Sequence, residues 1–174
     1  MKEMLRYGLI LGLICTVASA SLAVVNSLTK SRIMAQAQAE EEASLKSVIT
    51  EGVRFEPVKS KDEIIYYKAY DKGGNFLAVA FKSQGKGYSS TIETMAGMTR
   101  DGTLTAIKVV SHNETPGLGT RIAEPEFTAR FMNKNTQEVA SVEAITGATI
   151  SSKAVIDSVK QKAEEIKALI MNEK

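Results

Sequence analysis

The feature that most constrains this chain is an uncharged run near its N-terminus. From Tyr7 to Thr29 the sequence has 23 residues without a charged side chain. Basic residues flank this run on both sides, at positions 2, 6, 30 and 32. An α-helix rises about 1.5 Å per residue, and the hydrocarbon core of a bilayer is about 30 Å thick. The run therefore predicts one transmembrane helix, with residues 1–29 as an anchor in membrane lipid.

A cleavable signal peptide is the alternative for this segment. Ala18-Ser19-Ala20 resembles a small-residue cleavage site. The apolar run continues past that site, through Leu22, Val24, Val25 and Leu28, and this continuation favours an anchor. The basic flanks are nearly balanced, so they fix the orientation of the helix only weakly. Under both interpretations, the rest of the chain crosses the membrane.

Charge and residue counts exclude several classes of function. The formal net charge is +2 and no basic stripe is visible, so we expect no nucleic-acid partner. A single cysteine, Cys15, cannot form an internal disulfide, and no Cys/His cluster predicts a zinc or iron–sulfur site. His112 is the one histidine. We therefore expect neither a metal site nor a triad built on separate His and Cys residues. Without a substrate-pocket signature in the sequence, we also expect no independent catalysis.

The segment after the anchor predicts a stalk and then a folded domain. Residues 30–52 are rich in Ala, Gln and Glu and read as a polar helix, which Gly52 and Pro57 interrupt. Strand signals then recur at 63–70, 76–82, 88–98 and 103–110, joined by short turns that contain Gly. This pattern predicts a four-stranded antiparallel meander within a domain at residues 53–174.

Helical patterns dominate the end of the chain. Residues 124–134 and 151–172 show apolar side chains at helical spacing, and Val142–Ile145 could add a short final strand. Strands followed by segregated helices indicate an α+β fold, preceded here by one N-terminal transmembrane helix.

The segment with the most chemical information is EAITGATISSK, residues 143–153. It reads as a glycine turn followed by a helix start, with hydroxyls at Thr149, Ser151 and Ser152. First-turn amides of a helix lack an intrahelical acceptor and can bind a phosphate. From these residues alone, ordinary helix capping by Ser and Thr is the simpler explanation.

Two motifs carry a resemblance to a known family. Thr146-Gly147-Ala148-Thr149 resembles the S/T-G-A-T flavinylation motif of FMN-binding domains in Rnf and Na⁺-translocating NADH:quinone reductase complexes. The loop at 112–119, HNETPGLG, is similar to the H-x-E-T-P-G-L-G segment typical of Rnf G subunits. The order of anchor, meander, loop, GAT turn and terminal helix is also similar, so the likeness spans nearly the whole chain.

The resemblance implies a covalent flavoprotein. In that family a flavin transferase joins the FMN phosphate to the last threonine of the motif, which here is Thr149. The other implied cofactor-binding residues lie in the motif and the facing loop: Thr146, Gly147, Ala148, Ile150, Ser151, Glu114, Thr115, Gly117, Leu118 and Gly119. The family commonly has Asp three residues before the motif, where this chain has Glu143.

The resemblance also implies a place in the cell. It predicts an electron-transfer subunit of an ion-translocating oxidoreductase in the bacterial cytoplasmic membrane, with its FMN on the extracytoplasmic side and other integral redox subunits as partners. Two alternatives remain: the C subunit of the sodium-pumping quinone reductase, and a membrane-anchored binding or structural module without flavin.

Two further side chains have competing interpretations. His112 either tunes the flavin or has a structural role at the end of a strand. Tyr88 follows a turn, and packing in the core is favoured over stacking near the cofactor.

Overall fold

The computed structural model describes residues 2–61 and 63–172. Helix α1 runs without interruption over Lys2–Val48. In the described part of the chain, it is the one helix long and apolar enough to cross a membrane. The chain divides into two compact units, one ending at Glu41 and one that begins at Glu42. The folded unit therefore includes the last turns of α1.

A five-stranded antiparallel sheet forms the centre of the second unit. Its strands lie in chain order, as a simple meander. They are β1 Arg54–Ser60, β2 Glu63–Tyr70, β3 Phe76–Lys86, β4 Thr91–Thr99 and β5 Leu104–Ser111. The predicted α+β class, with an antiparallel meander after a long apolar helix, is confirmed.

Two predictions about the strands were wrong, and a third strand, predicted at 88–98, begins later, at Thr91. The sheet has five strands because β1, which the sequence pattern did not indicate, pairs with β2 along its length. Val142–Ile145 is not a strand, because the Ile145 amide donates to the Ser152 hydroxyl at 3.1 Å. Helix α3 thus fixes this segment through a side chain, and no neighbouring strand is needed to satisfy that amide.

Side chains alternate between the two faces of the sheet, as strand geometry requires. On one face, residues such as Phe81 and Ile92 join the main core cluster. Helix α3, Thr149–Asn172, covers that face with the buried side chains of Val155, Val159 and Ile166. The apolar stripe predicted for the last helix is therefore the stripe that packs on the sheet.

The opposite face of the sheet holds a smaller core. There Tyr67, Ala80 and Met95 pack with Leu45 and Val48 from the end of α1. The Thr105 hydroxyl donates to the Val48 carbonyl at 2.6 Å and satisfies an acceptor that the helix end leaves open. The end of α1 is thus built into the folded unit.

Short helical turns connect β5 to α3. They comprise a 3-10 helix at Gly119–Ala123, helix α2 at Pro125–Thr128, and 3-10 turns at Ala129–Phe131 and Glu138–Ser141. Phe127 and Phe131 are buried and meet edge to face with ring centroids 5.4 Å apart. This aromatic pair fixes the segment that follows the 112–119 loop.

Candidate functional site

A cleft of about 580 Å³ opens where three segments of the folded unit meet. The first segment is the turn between β3 and β4, the second is the loop after β5, and the third is the start of α3. The lining residues are Tyr88, Glu114, Thr115, Leu118, Gly119, Gly147, Ala148, Thr149, Ile150 and Ser151. Residues of the two motifs singled out in the sequence therefore line one cleft.

The start of α3 is shaped by the residues before it. Gly147 has a φ of 84°, in the left-handed region that disfavours side chains with a Cβ atom. Ala148 is buried, and its amide donates to the Ile145 carbonyl at 2.9 Å. The chain thus turns sharply at Gly147 and presents Thr149, the first residue of α3, as an exposed side chain at the cleft.

Three amides at this helix start are available to a ligand. The first hydrogen bond of the α-helical type runs from the Ser152 amide to the Ala148 carbonyl, at 2.9 Å. The amides of residues 149–151 precede it and therefore have no acceptor within the helix. The partial positive charge of the helix dipole lies at the same end. This geometry suits an anionic oxygen.

The facing loop is folded by its own backbone. Gly117 has a φ of 73°, and its amide donates to the Thr120 hydroxyl at 3.0 Å. The Thr115 carbonyl accepts from the amides of Leu118 at 3.2 Å and Thr120 at 3.3 Å. This tight turn leaves the Leu118 side chain 51% exposed at the cleft.

The cleft has an apolar rim. Tyr88 is 72% exposed and Ile150 is 54% exposed, and both line the cleft together with Leu118. Large apolar side chains this accessible, gathered around one concavity, are typical of a site that binds an apolar group.

Glu114 connects the three segments from within. Its carboxylate is buried, with 5% of the residue exposed. Oxygen Oε1 accepts from the amides of Ser89 and Ser90, each at 3.0 Å, and from the Ser90 hydroxyl at 3.3 Å. Oxygen Oε2 accepts from the Ser151 hydroxyl at 2.5 Å and from the Tyr88 amide at 3.2 Å. One side chain thus ties the 88–90 turn to the first turn of α3.

Two glycines provide the space for this carboxylate. A Cβ atom at Gly87 would lie 2.5 Å from Glu114 Oε1. A Cβ atom at Gly119 would lie 2.7 Å from Glu114 Cβ and 2.9 Å from Oε2. Both distances are far below ordinary contact, so glycine at these positions allows the backbone to close around the carboxylate.

The Glu114 carboxyl is held in its ionised form. Burial raises its pKa, but hydrogen bonds from the Ser151 hydroxyl and from the amides of Ser89, Ser90 and Tyr88 together lower it below the ordinary value of 4.5. Hydrogen bonds donated to a carboxylate favour its charged form, and here their sum outweighs desolvation.

This lowered pKa predicts a loss of stability in acid. The unfolded chain binds a proton at Glu114 more readily than the folded chain does, so the ionised carboxylate contributes stability above pH 4.5. That contribution is lost as the pH falls from 4.5 through the lower folded-state pKa. We expect the free energy of unfolding, measured by urea titration, to decline more steeply below pH 4.5 in the wild type than in Glu114→Gln.

Asp71 and Asp101 also have lowered pKa values, through hydrogen bonds from Asn75 and from Thr103 and Thr99 respectively. Both residues are present in the wild type and in Glu114→Gln, so the difference between the two curves isolates Glu114. Parallel curves between pH 5 and pH 3 would contradict the prediction.

The structure brings most of the predicted site residues together. Nine of the eleven line the cleft, while Thr146 and Gly117 lie in the adjoining turns and do not line it. The interpretation of Tyr88 as a core residue was wrong, because its side chain is exposed at the cleft. His112 is partly buried outside the lining, and its Nδ1 accepts from the Glu114 amide at 3.4 Å.

What the sequence did not reveal is the role of Glu114 as an internal acceptor. Its partners are 24 to 37 residues away along the chain. The one available signal was glycine on both sides of the site, at Gly87 and Gly119. Within residues 2–61 and 63–172, no group of three or more His, Cys, Asp or Glu side chains could hold a metal ion.

Comparison with known proteins places this cleft in a family. The FMN-binding domain family matches residues 87–164, and the RnfG N-terminal region matches residues 1–48. The G subunit of an ion-translocating oxidoreductase complex from Methanosarcina acetivorans is 32% identical, over 96% of this chain and 96% of that relative. The chain belongs to the Rnf G-subunit family.

Other relatives agree with this assignment. The G subunit of a proton-translocating ferredoxin:NAD⁺ oxidoreductase complex from Clostridium ljungdahlii is 30% identical, over 87% of this chain and 85% of that relative. The crystal structure of the C subunit of the Na⁺-translocating NADH-quinone reductase from Parabacteroides distasonis has a TM-score of 0.51 at 19% identity, covering 63% of each chain. That likeness concerns the fold alone.

The two family matches cover both the N-terminal helix and the cleft. The match over residues 1–48 includes the apolar helix α1, and the match over 87–164 includes every residue of the cleft lining. The protein is therefore a subunit of a redox translocase, with an FMN-binding domain and an N-terminal helix suited to a single-pass anchor. The family that the two sequence motifs indicated is therefore confirmed.

Proposed function

We propose that Thr149 carries FMN through a phosphoester bond and that this flavin relays electrons within an ion-translocating oxidoreductase complex. The observation that carries the proposal is the exposed Thr149 side chain, which lies in the cleft of the FMN-binding domain at the head of α3. In the transfer, the Thr149 oxygen would attack the flavin-side phosphorus of a flavin dinucleotide and break its pyrophosphate bond. The hydroxyl proton and a nucleoside monophosphate would leave, and Thr149 would gain the mass of one FMN less one water.

The state of the neighbouring hydroxyls supports Thr149 as the attachment point. Ser151 is 2% exposed and its hydroxyl donates to Glu114, while Ser152 is fully buried and its hydroxyl accepts from the Ile145 amide. Both hydroxyls are engaged and covered. Thr149 is the accessible hydroxyl of the α3 first turn.

The helix start supplies a site for the phosphate. A phosphodiester keeps one negative charge, and the amides of residues 149–151 have no acceptor within the helix. No Lys or Arg lines the cleft in the part of the chain that the structure describes. Backbone amides and the helix dipole would therefore stabilise the phosphate, without a fixed cation.

The apolar rim suits the isoalloxazine ring. Tyr88, Leu118 and Ile150 would contact its faces and exclude water from part of it, and Glu114, Thr115 and Gly119 also line the cleft. Thr146, Gly147, Ala148 and Gly117 would shape the two turns. A flavin accepts one or two electrons, and the protein sets its orientation and solvent access.

Covalent attachment has a physical reason on the outer side of a membrane. A flavin that dissociated there would be diluted, whereas a phosphoester keeps its local concentration permanently high. We propose that α1, with residues 1–29 in the lipid, holds the domain on the extracytoplasmic side. The partners would be the other integral and redox subunits of the complex, and a flavin transferase during maturation.

The experiment is expression of the full chain together with a flavin transferase. We expect flavin fluorescence that remains with the protein on a denaturing gel in the wild type and, once maturation has run to completion, in Ser151→Ala, because Thr149 is intact in both. Thr149→Ala should give an unlabelled band. A fluorescent Thr149→Ala band would overturn the assignment of Thr149.

The alternative of a flavin-free binding module would predict a wild-type chain that stays colourless in this experiment. The names of the relatives favour the Rnf G type over the C subunit of the quinone reductase.

A further inference from the structure

We propose that Glu114 is a positioning residue for FMN, which assembles the cleft before the cofactor arrives. The inference rests on the proposed function, because it concerns how the site around Thr149 is prepared. Glu114 would act through the residues that it holds, the 88–90 turn and the first turn of α3, and not as the main contact of the ring.

Several hydrogen-bond donors converge on the Glu114 side chain. Five hydrogen bonds reach the Glu114 carboxylate, three from backbone amides and two from hydroxyls. A carboxylate offers acceptors only, on both oxygens, and so it matches this set. A glutamine has one acceptor oxygen and would direct its NH₂ group at donors on the other side.

The donors around Glu114 belong to two segments that line the cleft. The 88–90 turn carries Tyr88, whose exposed ring lines the cleft, and Ser151 follows Thr149 by two residues on α3. The position of the turn that carries Tyr88, relative to the start of α3 where the phosphate would lie, is therefore fixed by contacts to one buried group. Reduced mobility before binding lowers the entropy cost of holding a ligand.

The backbone packs closely around the Glu114 carboxylate at two glycines. Gly87 and Gly119 both lie against it, at distances that no Cβ atom could occupy. The Asn113 amide donates to the Ser90 hydroxyl at 2.7 Å, and that hydroxyl donates to Glu114. The loop after β5 is thus fastened to the 88–90 turn beside Glu114 as well as through it.

The test compares Glu114→Gln with Glu93→Gln in the full-length chain, purified in detergent without flavin transferase. Glu93 lies on β4, accepts a hydrogen bond from Gln84 Nε2 at 2.9 Å and does not line the cleft, which makes it a matched control. Three quantities are measured: hydrogen exchange at the amides of residues 88–90, the affinity for free FMN by fluorescence quenching, and the rate of flavinylation after flavin transferase is added.

We expect Glu114→Gln to exchange these amides about tenfold faster and to bind FMN about tenfold more weakly, because buried donors lose their acceptor. Flavinylation should slow in parallel, and the visible circular dichroism of the loaded flavin should change. Glu93→Gln should match the wild type in all measurements. Faster exchange with unchanged FMN affinity and unchanged flavinylation would show a purely structural role and overturn the proposal.

If Glu114→Gln does not fold, Ser151→Ala decides the question, since it removes one of the five donors and leaves the carboxylate in place. Weaker FMN binding by this variant supports the proposal, and wild-type affinity overturns it.

A wild-type chain that binds free FMN but gains no covalent flavin would refute the Thr149 linkage alone. The exchange and affinity data would still decide on Glu114. A wild-type chain that neither binds free FMN nor gains covalent flavin overturns both.

Discussion

Replacing Thr149 with alanine is expected to abolish electron transfer through the assembled complex while leaving the complex intact. Thr149 is exposed, and its removal disturbs neither the core cluster nor the hydrogen bonds of Glu114. Without the phosphoester the flavin would have no permanent attachment, and a relay that lacks one redox centre stops. The measurement is the rate of electron transfer in membranes that carry the variant, normalised to the amount of assembled complex.

Lys153→Ala is the matched control for this prediction. Lys153 is exposed one helical turn after Thr149 and does not line the cleft, so its loss should leave the rate close to that of the wild type. Thr149→Ala membranes that transfer electrons at the wild-type rate would show that covalent flavin at Thr149 is dispensable for electron transfer.

Replacing Gly85 with alanine is expected to destabilise the folded unit by about 3 kcal/mol, at the upper end of overpacking effects. A Cβ atom there would lie 2.2 Å from the carbonyl oxygen of Ala154 and 2.8 Å from its carbonyl carbon. Both are backbone atoms, so no rotation of a side chain relieves the clash. Helix α3 would have to move away from β3, and Thr149 at its start would move with it. Urea unfolding followed by circular dichroism measures the loss.

Gly12→Ala controls for the general effect of adding a methyl group, because nothing lies within 4 Å of a Cβ atom at that position. We expect no loss of stability there. The Gly85→Ala variant should also be flavinylated more slowly, since the displaced helix start forms one side of the cleft. A stability equal to that of the wild type would show that α3 and β3 are not packed as closely as described.

The elements that sequence could predict are those with a strong local pattern. Strand β2, Glu63–Tyr70, was predicted at its observed bounds, because β-branched and aromatic residues fill it and glycine turns follow it. Helix α3 was predicted from its apolar stripe. The site was located because its two motifs are short, continuous segments whose residue types restrict the backbone.

The elements that sequence missed depend on contacts between distant segments. Strand β1, Arg54–Ser60, lies at the edge of the sheet, where proline is tolerated, and it contains Pro57. None of its residues is buried, so its sequence shows no alternation of apolar and polar side chains. Tyr88 is aromatic and follows a strand pattern, so it looks like a core residue. It lies instead in a turn beyond the end of β3, where the Gly87 amide donates a hydrogen bond to the Ser90 carbonyl at 2.8 Å. The five donors around Glu114 come together only when the sheet and α3 have formed.

Peptide mass analysis shows directly whether the ester oxygen belongs to Thr149. Trypsin should release residues 135–153 as one peptide, with hydroxyl groups at positions 136, 141, 146, 149, 151 and 152. After maturation with a flavin transferase, we expect that peptide to carry the mass of one FMN less one water, and fragmentation to assign it to Thr149. An unmodified peptide, or a flavin on any of the other five hydroxyls, would contradict the account.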